Sequence, residues 1–111
     1  IQAPNLISIG DKGFGKCPHL ETFIASNLIS IGAEVFCECP NLKSFEANNL
    51  EFLDVAVFVK CPNLKTFEAN KLTSVAKCAF VECPRLESFT ANNLKSVGNE
   101  AFGGCEKLQT F

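Results

Sequence analysis

The sequence predicts an α/β solenoid in which coils of 22 residues stack on one another through short parallel strands. The phrase CPNLKSFEANNL, which begins at Cys39, returns as CPNLKTFEANKL from Cys61, and the same spacing of 22 residues runs through the whole chain. Ten of the eleven phenylalanines fall at only two positions of this period. A single coil buries too little apolar surface to offset the entropy of ordering it, so the coils must stack.

The first half of each coil predicts two short extended segments. Coil positions are counted from the leucine of CPNL, so that Leu42 is position 1. Positions 1 to 6, as in Leu42 to Ala47, alternate inward and outward and predict a strand. Asparagine is frequent at positions 7 and 8, where its tolerance of left-handed backbone suits a corner. Positions 9 to 12, as in LISI from Leu28, predict a second extended piece.

The second half of each coil predicts short helical turns or loops. Small or apolar residues fall at positions 13, 16, 17 and 20, which is the i, i+3, i+4, i+7 spacing of one or two helical turns. Proline at position 21 prevents a helix from continuing. This column contains Pro18, Pro40, Pro62 and Pro84.

The phenylalanines are expected to form continuous rows inside the molecule, because Phe suits dry interiors and the chain has neither Trp nor Tyr. Successive coils should place identical positions over one another. Position 4 holds Phe23, Phe45, Phe67, Phe89 and Phe111, and position 17 holds Phe14, Phe36, Phe58, Phe80 and Phe102.

The composition excludes several function classes. The chain is 47% hydrophobic and 20% charged with a net charge of −2. We therefore expect neither a disordered chain nor a protein that binds nucleic acid. No apolar run reaches the roughly 18 residues of a membrane span, and no signal peptide is evident, so we expect no membrane insertion. The sequence has no methionine. The length and the period predict that residues 1–111 form one domain of about five coils. Because there is no initiating methionine, we expect this domain to be cut or processed from a larger protein.

The repeat resembles the BspA-type leucine-rich repeats. The similarity is carried by LETFIASNLISIGAEVFCECPNL from Leu20 to Leu42, and most closely by VGNEAFGGCEKLQTF from Val97 to Phe111. Asp54 and Ala76 depart from the family pattern, which has glycine at their position. The resemblance implies a curved right-handed solenoid with a parallel sheet on its concave side. It also implies a surface or secreted protein that attaches to a host or microbial partner.

Seven cysteines raise the question of a disulfide or metal site. Cys17, Cys39, Cys61, Cys83 and Cys105 share position 20, an inward position, so core packing is the favoured interpretation, with disulfides and metal binding as alternatives. Cys37 and Cys78 lie off this column and are predicted to be exposed and reactive. We expect no metal, no cofactor and no enzyme activity, because the single histidine, His19, has no recurring nucleophile and acid around it.

Two further columns have alternative interpretations. Position 3 always carries a hydroxyl, in Thr22, Ser44, Thr66, Ser88 and Thr110. Such a ladder raises ice binding as an alternative function, although Glu46 and Glu68 in the neighbouring outward column disrupt a flat array. Position 19 alternates in charge through Lys16, Glu38, Lys60 and Glu82, and we expect these charges to pair between coils.

The outward residues of the first strand are the predicted partner-binding surface, since stacked coils display them as a broad grid. They are Glu21, Thr22, Ile24, Lys43, Ser44, Glu46, Lys65, Thr66, Glu68, Glu87, Ser88 and Thr90. Ile7, Ile29 and Phe52 interrupt the polar outward pattern at positions 10 and 11 of adjacent coils, which predicts either an apolar contact patch or a surface covered by a neighbouring domain or cap.

These features predict a non-enzymatic interaction scaffold, and the family resemblance implies an adhesin-like role. A structural spacer that presents another domain is the alternative. The partner is expected to be a protein of unknown identity, and the chain ends, which lack polar caps, suggest end-to-end self-association. Cell-surface or secreted localisation rests on the family resemblance.

Overall fold

The structure is a computed structural model that describes residues 1–108, and it contains two parallel β-sheets in one stack of coils. We name the sheet of strands β2, β4, β6 and β8 sheet A, and the sheet of strands β1, β3, β5, β7 and β9 sheet B. The strands are β1 (Ser8–Ile9), β2 (Thr22–Ile24), β3 (Ser30–Ile31), β4 (Ser44–Glu46), β5 (Phe52–Leu53), β6 (Thr66–Glu68), β7 (Ser74–Val75), β8 (Ser88–Thr90) and β9 (Ser96–Val97).

Every strand pairs with its equivalent in the next coil without a register shift. In sheet A, Phe23 lies beside Phe45, and Phe45 lies beside Phe67. In sheet B, Ile31 lies beside Leu53. Identical coil positions therefore meet along the stack, which confirms the predicted solenoid of 22-residue coils and both predicted extended segments.

Nine phenylalanine rings form the centre of the core. Within each column, neighbouring rings stack nearly parallel, as between Phe36 and Phe58, whose centroids are 5.3 Å apart and whose planes differ by 4°. Between the columns the rings meet edge to face, as between Phe45 and Phe58 at 5.2 Å and 74°. Both are favourable geometries for aromatic pairs. The predicted row through Phe36, Phe58 and Phe80 is confirmed, whereas Phe111 lies outside the described residues.

Of the short helical turns or loops predicted for the third side of the coil, positions 13 to 20, the loops are confirmed, because no helix forms among residues 1–108. Positions 15 and 19 adopt positive φ in every coil, as at Glu34 (57°) and Glu38 (56°), and these left-handed residues interrupt any helical segment. Backbone bonds run instead between coils. Phe36 N donates to Val57 O over 2.9 Å, and Glu38 N donates to Val59 O over 2.8 Å. The coils are thus hydrogen-bonded to one another on three sides.

Two tight turns form corners of each coil, and asparagine side chains join them along the stack. One turn spans positions 6 to 9, with Leu50 N donating to Ala47 O over 3.1 Å. The other follows the cysteine, with Leu64 N donating to Cys61 O over 3.2 Å. At both corners, wherever asparagine occupies position 8 or 22 in a coil that follows another coil, its Nδ2 donates to a carbonyl of the preceding coil, as from Asn49 to Ser26 O over 2.8 Å. These bonds align the corners of successive coils.

One coil lacks its asparagine at this corner, because Lys71 occupies position 8. Replacing Lys71 by Asn should add the missing donor toward Asn48 O and raise the free energy of unfolding by about 0.5–1.5 kcal/mol, the net contribution of one hydrogen bond. Urea denaturation of the full chain measures the change. The reverse substitution, Asn49→Lys, serves as the control and should destabilise the fold by a similar amount. Equal stabilities for all three proteins would contradict a structural role for the corner asparagines.

Candidate functional site

Sheet A presents a regular exposed face. Its strands bury position 4 and direct positions 3 and 5 outward, as β4 shows with Phe45 buried between Ser44 and Glu46. All twelve residues predicted for partner binding are exposed or half-buried, and register pairing places equivalent ones side by side. Thr110, the last residue of the hydroxyl column, lies outside the described residues. The face therefore combines a row of hydroxyls with rows of charged side chains on both sides.

The charge rows flanking the hydroxyls differ in how they are compensated. At position 2, Lys43 Nζ lies 3.3 Å from Glu21 Oε1. In the same row Lys65 Nζ lies 3.7 Å from Glu87 Oε2. Each lysine of this row thus has a carboxylate from the neighbouring coil.

At position 5, in contrast, two carboxylates are neighbours. Glu46 pairs directly with Glu68 in the parallel register of sheet A. Within residues 1–108 neither side chain forms an ion pair, and Glu68 Oε2 accepts only from Asn48 Nδ2, over 2.8 Å. Like charges directly opposite in a sheet destabilise it. The absence of lysine from position 5 is visible in the sequence, whereas the pairing of Lys43 and Lys65 within the position-2 row is shown only by the structure.

The middle of the sheet A face contains a shallow depression of about 290 Å³. It is lined by hydroxyl and acidic residues, including Ser44, Glu46, Thr66 and Glu68, and by the apolar residues Ile24, Phe45 and Phe67. Hydroxyls both donate and accept hydrogen bonds, whereas carboxylates only accept them. The depression is therefore suited to a polar, donor-rich group.

The alternating charges at position 19 pair less than the sequence predicts. Lys16 Nζ lies 4.0 Å from Glu38 Oε2, but in the part of the chain that the structure describes Lys60 and Glu82 form no ion pair. A second contact on this side joins Lys12 and Glu34 at 3.7 Å. These exposed pairs contribute little to stability.

The three residues of the predicted apolar patch are exposed on the outer side of sheet B. The exposed fractions are 60% for Ile7, 47% for Ile29 and 43% for Phe52. They lie on three successive coils, since β1 pairs with β3 and β3 with β5. Polar neighbours, among them Asn49 and Glu51, border the two isoleucines. The patch is a second candidate contact surface.

The position-20 cysteines are free thiols, and those of Cys39, Cys61, Cys83 and Cys105 donate to backbone carbonyls of the preceding coil. Cys61 Sγ donates to Phe36 O over 3.0 Å, and Cys83 Sγ donates to Phe58 O over 2.9 Å. Burial raises the pKa of the Cys39 thiol to about 11. The neighbouring Cys83 thiol and burial raise the pKa of Cys61 as well. Cys39 and Cys61 therefore stay protonated at neutral pH, which disfavours both thiolate chemistry and metal ligation at these two residues.

The off-column cysteines and the histidine differ in exposure. Cys37 and Cys78 are half-buried rather than exposed, because the packed third side of the coil covers part of each. Burial, reinforced by Glu38 and Glu34, raises the pKa of the Cys37 thiol and lowers its reactivity, contrary to the prediction. His19 is exposed at a corner.

No group of three or more metal-ligating side chains converges within residues 1–108. The same residues form no helix long and apolar enough to cross a bilayer.

Comparison with known proteins gives matches over nearly the whole chain. The family model described as a BspA-type leucine-rich repeat region matches residues 1–111 in six copies. A leucine-rich cell surface protein from Faecalibacterium prausnitzii A2-165 superposes with a TM-score of 0.89 at 26% identity, covering 98% of this chain and 30% of that protein. A leucine-rich repeat protein from Bacteroides ovatus ATCC 8483 gives a TM-score of 0.71 at 21% identity, with coverages of 98% and 35%.

This chain thus spans about a third of the length of those leucine-rich proteins. Among curated protein sequences there is no significant match.

The thiol bonds predict a difference between two cysteines. Cys61→Val keeps an apolar side chain but leaves Phe36 O without its donor, and it should lower the free energy of unfolding by about 1–3 kcal/mol. Cys37→Val is the matched control, since the equivalent positions of the next coils are Val59 and Val81, and its effect should stay within about 0.5 kcal/mol. Denaturant unfolding measures both changes. Equal losses would show that the Cys61 thiol acts through its volume alone.

The paired carboxylates predict a stabilising substitution. Glu46→Lys places an opposite charge beside Glu68 and should raise the free energy of unfolding by about 0.2–1 kcal/mol. Glu46→Gln, which removes the repulsion without adding attraction, should fall between the wild type and Glu46→Lys in the same denaturation experiment. A less stable Glu46→Lys protein would mean that the carboxylate row is already compensated.

Proposed function

Because the chain belongs to the BspA-type leucine-rich repeat family, we propose that it is a protein-interaction scaffold that binds its partner through the face of sheet A. The scaffold carries no catalytic role in this proposal. It presents a fixed grid of side chains to a protein surface.

One observation carries the proposal: the inward columns have a packing role, while the face of sheet A has none. Phenylalanine, leucine, alanine and cysteine fill the core, from Phe23 and Leu42 to Cys83. The outward grid varies from coil to coil, as Ile24, Glu46, Glu68 and Thr90 show at one position. Regular backbones that display varied side chains on an extended face are the binding surfaces of solenoid proteins.

We further propose that the chain acts at the cell surface, in an adhesin-like role. The supporting observation is its likeness to the Faecalibacterium prausnitzii protein, which is described as a leucine-rich cell surface protein. That likeness covers 30% of the relative's length, so the partners and activities of the complete relative are not assigned to this chain.

Blocking substitutions test the proposal. Thr66→Arg places a long side chain over the middle of sheet A and should weaken binding to a surface partner at least tenfold, while circular dichroism shows an unchanged fold. The partner is first found by screening the full chain against purified extracellular-matrix proteins and bacterial surface proteins. Surface plasmon resonance then measures the affinity.

A matched substitution on the other sheet identifies the competing outcomes. Ser74→Arg puts the same side chain on sheet B and should leave the affinity unchanged. Loss of binding with Ser74→Arg alone would assign the contact to sheet B. Absence of binding in the whole screen would favour a structural spacer.

A further inference from the structure

The charge of the sheet A face accounts for the net charge of the whole chain. Its residues include four carboxylates, Glu21, Glu46, Glu68 and Glu87, and two lysines, Lys43 and Lys65, which gives −2. The complete chain has 12 acidic and 10 basic residues, also −2. Subtracting the face leaves eight of each sign, so the rest of the chain is neutral and the excess negative charge lies on this one face.

The excess is further concentrated within the face. Because Lys43 and Lys65 are each paired with a glutamate of the position-2 row, their charges do not offset the position-5 row. Glu46 and Glu68 lie on adjacent strands, which in a sheet are about 4.8 Å apart. Asn48 holds one oxygen of Glu68 from the side without neutralising it.

We propose that the partner of sheet A is a protein segment that places an arginine side chain over Glu46 and Glu68. This inference rests on the proposed function and adds the chemistry of the partner. The face offers acceptor oxygens on two neighbouring strands, with the hydroxyls of Ser44 and Thr66 lining the same depression. A guanidinium has five donors in a planar fork and bridges carboxylates in bidentate fashion.

The negative charge of the sheet A face favours a basic protein segment over other partners. A nucleic acid or another polyanion would meet a negative face and be repelled. An acidic protein would be repelled in the same way. A basic segment would relieve the repulsion between Glu46 and Glu68 on binding, so the position that destabilises the free sheet becomes favourable in the complex.

The experiment uses the full chain and a synthetic peptide in which arginine and threonine alternate over eight residues. Fluorescence anisotropy measures its affinity, and a peptide with citrulline in place of arginine keeps the shape without the charge. Glu46→Gln combined with Glu68→Gln should weaken arginine-peptide binding at least tenfold. Glu82→Gln combined with Glu100→Gln makes the same change of net charge away from sheet A and should leave the affinity within twofold. Citrulline peptide should bind at least tenfold more weakly than arginine peptide.

Several results would overturn the inference. Equal losses in the two double variants would mean that only net charge matters. Equal binding of the arginine and citrulline peptides would remove the guanidinium from the contact. Saturable binding of Ca²⁺ alone that is lost in Glu46→Gln with Glu68→Gln, together with no arginine-peptide binding, would assign the carboxylates to a cation.

The two proposals fail differently. If Thr66→Arg abolishes binding of the natural partner while the Glu46 and Glu68 substitutions leave it unchanged, sheet A remains the binding face and the arginine contact is wrong. If neither change affects the natural partner, both proposals are wrong.

Discussion

Stacking of identical side chains across coils is the constraint on which the structure depends. Nine phenylalanine rings lie in two interleaved columns, and each ring inside a column stacks on its equivalents above and below and meets the other column edge to face. Replacing one ring would remove several contacts at once and leave a cavity. The two sheets, the third-side ladder and the corner asparagines can all bond at one fixed register because these rings hold it.

This constraint divides the sequence into two parts. Inward positions must repeat, since a changed residue at Phe58 or Leu64 would disturb the layers on both sides. Outward positions are free to differ, and on sheet A they differ in charge, size and polarity. A rigid repeated interior therefore supports a surface whose chemistry is set coil by coil. The unpaired carboxylates of Glu46 and Glu68 are a local cost that such a well-bonded scaffold can tolerate.

Much of the fold follows from the sequence because the period is explicit. The register, the phenylalanine rows and the two extended segments could be predicted because phenylalanine and the residues around it recur every 22 residues, in the columns that contain Phe36 and Phe45. The third side could not, because inward residues at i, i+3, i+4 and i+7 fit either a helix or a chain turned by left-handed residues. Glu34 and Glu38 show that backbone bonding between coils prevails over local helix formation. The candidate site was predictable as a face with excess negative charge, but the pairing of its two lysines within one row depends on side-chain positions that the sequence does not give.

The bonding of each coil on three sides also limits how such a chain can change in length. Adding or deleting a whole coil would recreate every ladder, ring stack and corner bond one layer further along. A single inserted residue within a coil would displace its Phe, Cys and Asn columns from those of its neighbours and break bonds on all three sides. The 22-residue unit is consequently the smallest increment by which this architecture can grow or shrink, so the width of the sheet A face changes in steps of one strand.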